Sequence, residues 1–437
     1  MLFAWTARTL AATGEVSFTK EVAPILAKKC VTCHGPEKAK GNYQLHNFET
    51  LMKSGASQAA AVTPGQPTKS ELFRLLVTAD ADDRMPQKDD PLPKGQIALI
   101  EKWIQQGAKF DGPDAKAHLA SLIPRVPHPQ PPTRYAQAVP IAALAFSPDG
   151  KQLAASGYHE ITLWEPATGK LVGRIQNLPQ RIQGLVWHPS GQWLAVGGGS
   201  AGQSGEVALV EVAKREVVKV LATTIDTVMA LAFDRNGTRL AAGGADNAIR
   251  IFSVPEGKEL RLLQQHADWV LGLAFSPEGK HLASASRDRI ARVFSLESGE
   301  IEVSYMGHEA PVSGIAFSED GKTIYSGGRD RDVHSWAVKD GKAAKKSSKL
   351  SGAEGELFRV LLAGEHIFSG GADGQVRQHQ LENHALVRTL SGHADRVIAL
   401  AADPPRRQIA SGAFNGEVCV WNWADGKIVA SFLAMPK

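Results

Sequence analysis

Residues 30–34, Cys-Val-Thr-Cys-His, hold two of the chain's three cysteines, with a histidine directly behind the second. Three chemistries use such a cluster: covalent haem attachment, a zinc half-site and a redox dithiol. Haem attachment needs this spacing, because two thiols two residues apart at a helix end reach both vinyl groups of one porphyrin. The adjacent His34 then points its imidazole at the iron from the proximal side. Structural zinc needs a second ligand pair, and the remaining cysteine, Cys419, lies near the far end of the chain. A thioredoxin-type dithiol belongs in a βαβ setting, whereas a helical pattern precedes Cys30. The cluster therefore reads as one haem c site, with Cys30 and Cys33 forming the thioethers and His34 as proximal iron ligand.

A haem with both faces occupied needs a second axial ligand, commonly methionine in electron carriers. Beyond the motif the N-terminal region offers Met52 and Met85. Met52 sits in the apolar, periodic FETLMKSG, the setting of a core residue. Met85 sits in ADDRMPQKDDPLP, a polar loop able to bring a side chain over a haem edge. Met85 is taken as the distal ligand, with a core methionine or His46 as the alternatives.

These residues need elements to hold them. SFTKEVAPILAKKC carries Phe18, Val22, Ile25 and Leu26 at helical spacing, with Ser17 or Thr19 as N-cap and a kink expected at Pro24. KGQIALIEKWIQQGAKF places Ile97, Ile100 and Ile104 on one face with Trp103 beside them, and stops at Gly107. Two amphipathic helices flanking irregular loops suit a small all-α domain over 15–112. Residues 1–14 read as the remnant of an export signal or a frayed terminus: the stretch has apolar residues but no basic start, and Arg8 interrupts it. Residues 113–138, crowded with prolines, read as a semi-rigid linker.

From 139 to 437 the chain repeats. The turn residues Asp246, Asp288, Asp330, Asp373 and Asn415 fall 42, 42, 43 and 42 apart, each after an apolar strand such as GLAFSPEGKHLAS. With ALAFSPDGKQLAA and GLVWHPSGQWLAV the units number seven. A period near 40–45 residues with four short strands per unit predicts an all-β seven-bladed propeller. GGGSAGQSG (197–205) reads as a flexible loop lengthening the second unit.

Composition sets bounds on function. With 437 residues the chain needs more than one core, and 49 basic against 45 acidic residues leave a formal charge of +4. That balance makes no case for nucleic-acid or membrane binding, and no run reaches the ~18–20 apolar residues of a spanning helix.

Two resemblances follow from these residues. The repeats resemble the WD-repeat family: Gly307-His308 and Gly392-His393 match its GH signature and Trp336 and Trp421 its tryptophan, although no Trp-Asp pair follows. The family pattern implies buried hydrogen-bond chains at His308, Ser326, Asp330 and Trp336, at His266, Ser284 and Asp288, and at His393, Ser411 and Trp421. These are structural staples and not catalytic sets. The N-terminal region resembles the short cytochrome c domains of planctomycete-type multidomain proteins through PILAKKCVTCHG, PGQPTKSEL, RMPQ and WIQQGA. That resemblance implies one covalent haem c with His/Met ligation in a periplasmic or otherwise exported protein.

The expectation is an exported electron carrier whose propeller docks a redox partner, not a catalyst. A haem enzyme with a second cofactor in the propeller is one alternative; it resembles nitrite reductases with eight blades, whereas seven units are counted here. His159, His188, His281, His334, His366, His379 and His384 read as scattered. A haem-based sensor scaffold is the other. Arg287, Arg289, Arg329 and Arg331 occupy equivalent turns of adjacent units, where they meet an anionic polymer or acidic protein, or form a solvated cluster neutralised by Asp288, Asp330 and Asp332.

Overall fold

The computed structural model describes residues 14–31, 33–35, 39–87, 90–122, 127–339, 348–350, 352 and 354–436; the export-signal reading of 1–14 thus falls almost wholly outside the described residues. The chain divides into two compact units, Met1–Val126 and Pro127–Lys437.

The first unit is small, with few and short helices. Ser17 caps its start, its Oγ accepting the Lys20 N–H at 3.1 Å. A π-helical turn, Phe18–Val22, leads into α1, Ala23–Lys29, which has Pro24 in its first turn. Proline lacks the N–H that a helix start leaves unpaired, so the kink expected at Pro24 is a change of helix type just before it. Then come α2 (Phe48–Leu51), α3 (Glu71–Val77), α4 (Lys94–Gln105) and α5 (Leu119–Leu122). Ile100, Trp103 and Ile104 of α4 are buried, and Gly107 leaves the helix with φ +96°. The core is aromatic: Phe18 stands edge-on to Phe48 at 4.9 Å and Phe48 tilts over Phe110 at 4.7 Å. Trp103 joins them while donating its Nε1–H to Lys109 O at 3.0 Å, which keeps its one polar atom paired.

The stretch read as a linker is engaged at both ends. Leu119 and Leu122 are buried in the first unit's core, α5 packing on α1. Within the second unit, His128 N–H donates to Asn177 at 2.8 Å, and Arg174 donates to Pro132 O at 2.7 Å and grips Glu160.

The second unit is seven four-stranded antiparallel sheets, each built from consecutive strands. Blade 1 spans 144–175, blade 2 181–224, blade 3 228–263, blade 4 270–305, blade 5 312–349, blade 6 357–391 and blade 7 397–433. The glycine read as flexible at 197–205 is instead paired: strands run to Ser200 and resume at Ser204, with Gly199 opposite Gly205. Backbone hydrogen bonding carries the ladder through residues of low strand propensity.

Blades pack through repeated close approaches. A Cβ on Gly370 of blade 6 would lie 2.6 Å from Val397 of blade 7, and one on Gly412 of blade 7 would lie 2.5 Å from Ile141, just before blade 1. The ring therefore closes by the same kind of contact that joins blades 2 to 3, 3 to 4, 5 to 6 and 6 to 7. Ile141 N–H donates to Ala413 O at 3.2 Å, and Trp164 of blade 1 tilts over Phe432 of blade 7 at 4.7 Å. Among the described residues no strand is shared across this seam.

The buried staples expected from the repeats are present. In blade 5, His308 Nδ1 lies 2.9 Å from Asp330 and Nε2 2.9 Å from Ser326 Oγ, which accepts Trp336 Nε1–H at 3.1 Å. In blade 4, His266 meets Asp288 at 2.9 Å and Ser284 at 2.6 Å. In blade 7, His393 meets Ser411 at 2.7 Å, and Glu417 supplies the carboxylate at 3.2 Å that Asn415 lacks.

Candidate cofactor site

The cysteine motif sits where α1 unwinds. Leu26, fully buried, accepts the Cys30 N–H at 2.9 Å, so the helix ends on a residue fixed in the core. The chain then turns tightly: Cys33 N–H and His34 N–H both donate to Cys30 O, at 3.1 and 3.0 Å. Anchored helix and tight turn together hold the two cysteines and the histidine along one short arc of backbone.

His34 is oriented by its own partner. Its Nδ1 lies 3.2 Å from Tyr43 O, and as a donor there it leaves the Nε2 lone pair for a ligand bond. Tyr43 is itself held, its hydroxyl donating to Leu51 O at 2.8 Å and its ring standing 5.6 Å from His34.

These side chains open onto a cavity of about 770 Å³ lined by Cys30, Cys33, His34 and Met85. Its volume falls in the range of about 300–1,000 Å³ of organic-ligand sites. Leu72, Leu75 and Leu76 of α3 form an apolar wall. Met85 is brought in by that helix, since Leu75 O accepts the Met85 N–H at 2.9 Å. Met52 packs on the core and is not among the residues lining the cavity. His46 is not among them either; it bonds to Asn47 at 3.1 Å, and burial pushes its imidazole pKa down.

Burial pushes the Cys30 thiol up to about 12, with Cys33 adding to the shift and Lys29 opposing it. At neutral pH that sulfur is a thiol, the wrong form for the attacking nucleophile of a redox dithiol. An apolar cavity with two thiols at its edge and an imidazole and a thioether on its wall fits a porphyrin. Cationic Lys29 and Lys40 on the same lining suit a porphyrin's carboxylates.

Residues 30–89 match the family described as Planctomycete cytochrome C. Residues 216–253, 257–295, 299–337 and 384–422 match the WD domain, G-beta repeat. The chain joins a planctomycete-type cytochrome c domain to a seven-bladed WD-repeat propeller. A comparison with curated proteins gives no match. The cytochrome-type match takes in Cys30, Cys33, His34, Tyr43, α3 and Met85. Each WD match begins at or two residues before the outermost strand of one blade and ends on the third strand of the next.

Two of the four turn arginines, Arg287 and Arg329, are paired differently from expectation. Asp288 and Asp330 face inward to the staples, so they do not neutralise the cluster. Arg287 instead lies 3.5 Å from Asp268 with its guanidinium over Trp269 at 4.6 Å, and Arg329 lies 3.9 Å from Glu356 and over Phe358 at 5.7 Å. Arg289 and Arg331 both take φ +69° in their turns. Among the described residues no helix is long and apolar enough to cross a membrane. Tyr43 and Leu75 were not singled out from the sequence, because each acts through a backbone carbonyl that no residue type announces.

Proposed function

We propose that this protein is an exported electron carrier holding one covalent haem c in its N-terminal domain, 15–112, with the propeller as a docking scaffold for a redox partner. Cys30 and Cys33 form the thioethers, His34 is the proximal ligand and Met85 the distal one. When bound, the group supplies an iron that cycles between the ferrous and ferric states. The chain's own residues set its surroundings. Tyr43 O holds the His34 ring in one tautomer, α3 excludes water with its leucines, and the Leu75–Met85 bond keeps the thioether facing the cavity. The observation carrying this reading is that Cys30, Cys33, His34 and Met85 line one cavity of about 770 Å³. On the propeller, Arg287, Arg289, Arg329 and Arg331 are the region where an acidic partner engages, aided by the aromatic rings beneath two of them.

The test is to produce the chain in a host that attaches haem, then record oxidised and reduced spectra. Haem that resists extraction, failure of carbon monoxide to bind, and a weak near-infrared methionine–iron band are expected. Met85→Ala abolishes the band and opens the iron to carbon monoxide, while Met52→Leu changes neither. A band that survives Met85→Ala refutes the distal assignment, and extractable haem refutes covalent attachment.

A further inference from the structure

Blade 5 differs from blades 3, 4 and 6 at one buried position. In blades 3, 4 and 6 the third strand carries an arginine that pairs with the turn aspartate: Arg250 with Asp246 at 2.7 Å, Arg292 with Asp288 at 2.8 Å and Arg377 with Asp373 at 2.6 Å. Register makes these equivalent, since Arg292 lies opposite Ser284 and Arg377 opposite Ser369. Opposite Ser326 in blade 5 stands His334. The arginine that satisfies the aspartate in those three blades is replaced here by a metal-ligating side chain.

His334 does not behave as a scattered surface histidine, contrary to the reading from sequence. It is 4% exposed, and its ring centroid lies 4.0 Å from that of His308. Its Nδ1 meets Tyr305 OH at 2.7 Å, but its buried Nε2 has no hydrogen-bond partner. One ligand-capable atom each from His308, Asp330 and His334 lie within 4.8 Å of one another. The staple itself does not need His334. Trp336 Nε1–H only donates, so Ser326 Oγ accepts it and turns its own proton to His308 Nε2. That leaves His308 Nδ1 on the Asp330 side.

We infer that His308, Asp330 and His334 form a binding site for a divalent transition-metal ion of the zinc class, inside blade 5 and separate from the N-terminal cysteine cluster. Two imidazoles and one carboxylate are a donor set that zinc accepts. The ion supplies the positive charge that arginine brings to Asp246, Asp288 and Asp373, and it gives the orphaned His334 nitrogen a partner. On coordination the His308 Nδ1 proton leaves to solvent. Blade 7 offers a contrast, with Cys419, His393 and Glu417 equally close. There Cys419 bonds Ser431 at 3.6 Å, Ser431 bonds Glu417 at 3.3 Å, and no side-chain nitrogen or oxygen of the set is orphaned, so that cluster closes on itself.

The experiment is equilibrium dialysis of the full-length protein against Zn²⁺, followed by metal analysis, with Co²⁺ absorption as a second readout. Wild type is expected to hold one more equivalent than His334→Gln and His334→Arg. His334→Arg restores the pairing of the sister blades, so it keeps the fold without metal, and Zn²⁺ raises the melting temperature of wild type but not of this variant. His281→Gln, altering a histidine outside the cluster, keeps the full count. The inference is overturned if folded His334→Arg binds as much Zn²⁺ as wild type, or if His281→Gln also loses the equivalent.

Discussion

Two serines at equivalent places in adjacent blades are expected to respond oppositely to the same substitution. Ser326 and Ser369 each precede a Gly-Gly pair on the second strand of their blade and are fully buried. Ser326 Oγ serves two buried partners, His308 Nε2 at 2.9 Å and Trp336 Nε1 at 3.1 Å. Ser369 Oγ is buried with no hydrogen-bond partner. Ser326→Ala strands two polar atoms at about 1–3 kcal/mol each, so a loss of about 2–6 kcal/mol is expected. Ser369→Ala removes an unpaired hydroxyl whose burial already costs about 1–3 kcal/mol, so it is neutral or stabilising by about 1 kcal/mol. Thermal unfolding followed by tryptophan fluorescence reads the difference directly, because Trp336 itself loses a partner. At about 2 °C per kcal/mol for a domain this large, the two melting temperatures should separate by about 4–14 °C. Equal shifts, or a larger loss for Ser369→Ala, would refute the view that the staple, and not serine burial as such, holds the blade.

Glu417→Ala should destabilise blade 7 by about 1–3 kcal/mol in chemical denaturation, since it leaves His393 Nδ1 only the long contact to Cys419 Sγ at 3.9 Å, while Glu417→Gln retains an acceptor and costs less; an unchanged midpoint for the alanine variant sinks the assignment. The propeller should also lose stability as pH falls below about 6.5. Burial holds His266 and His393 below that ordinary value; at His266 Arg292 adds to the effect and Asp288 opposes it. The unfolded chain therefore binds protons that the folded one does not, and stability fully present above 6.5 is lost on acidification. Melting temperatures at about pH 7.5 and about pH 5 check the sign, and a higher value at the lower pH contradicts it.

Blade number and staple membership were legible because a fixed hydrogen-bond chain demands fixed residue types at a fixed period. The resemblance to the WD-repeat pattern let His308, Ser326, Asp330 and Trp336 be written down together. The helix ahead of Cys30 was equally legible from its apolar face. Residues that act through the backbone were not: Tyr43 offers His34 a carbonyl, and Leu75 offers Met85 one, so neither leaves a trace in residue type. Glu417 escaped notice because the family places the carboxylate two positions earlier, where Asn415 stands. His334 was misread because its neighbours in space come from different strands, and only the register opposite Ser326 reveals that it occupies an arginine's position. The glycines of 197–205 misled through composition, since a ladder of backbone bonds does not require side chains. Turn charges misled in another way: Asp288 and Asp330 look like partners for neighbouring arginines until the fold turns them inward.

The seam between blades 1 and 7 has a consequence for how the molecule is made. Every blade is a run of consecutive strands, so each can complete its ladder as it leaves the ribosome, without waiting for a distant segment to return. Contacts within a blade are local and quick to form, and domains emerging from synthesis fold from the N-terminal side. A late step then joins remote parts of the chain, when Gly412 meets Ile141 and Phe432 meets Trp164. Until the last residues are translated, blade 1 presents an unpartnered apolar flank, and nascent chains of this protein are most exposed to association at that edge.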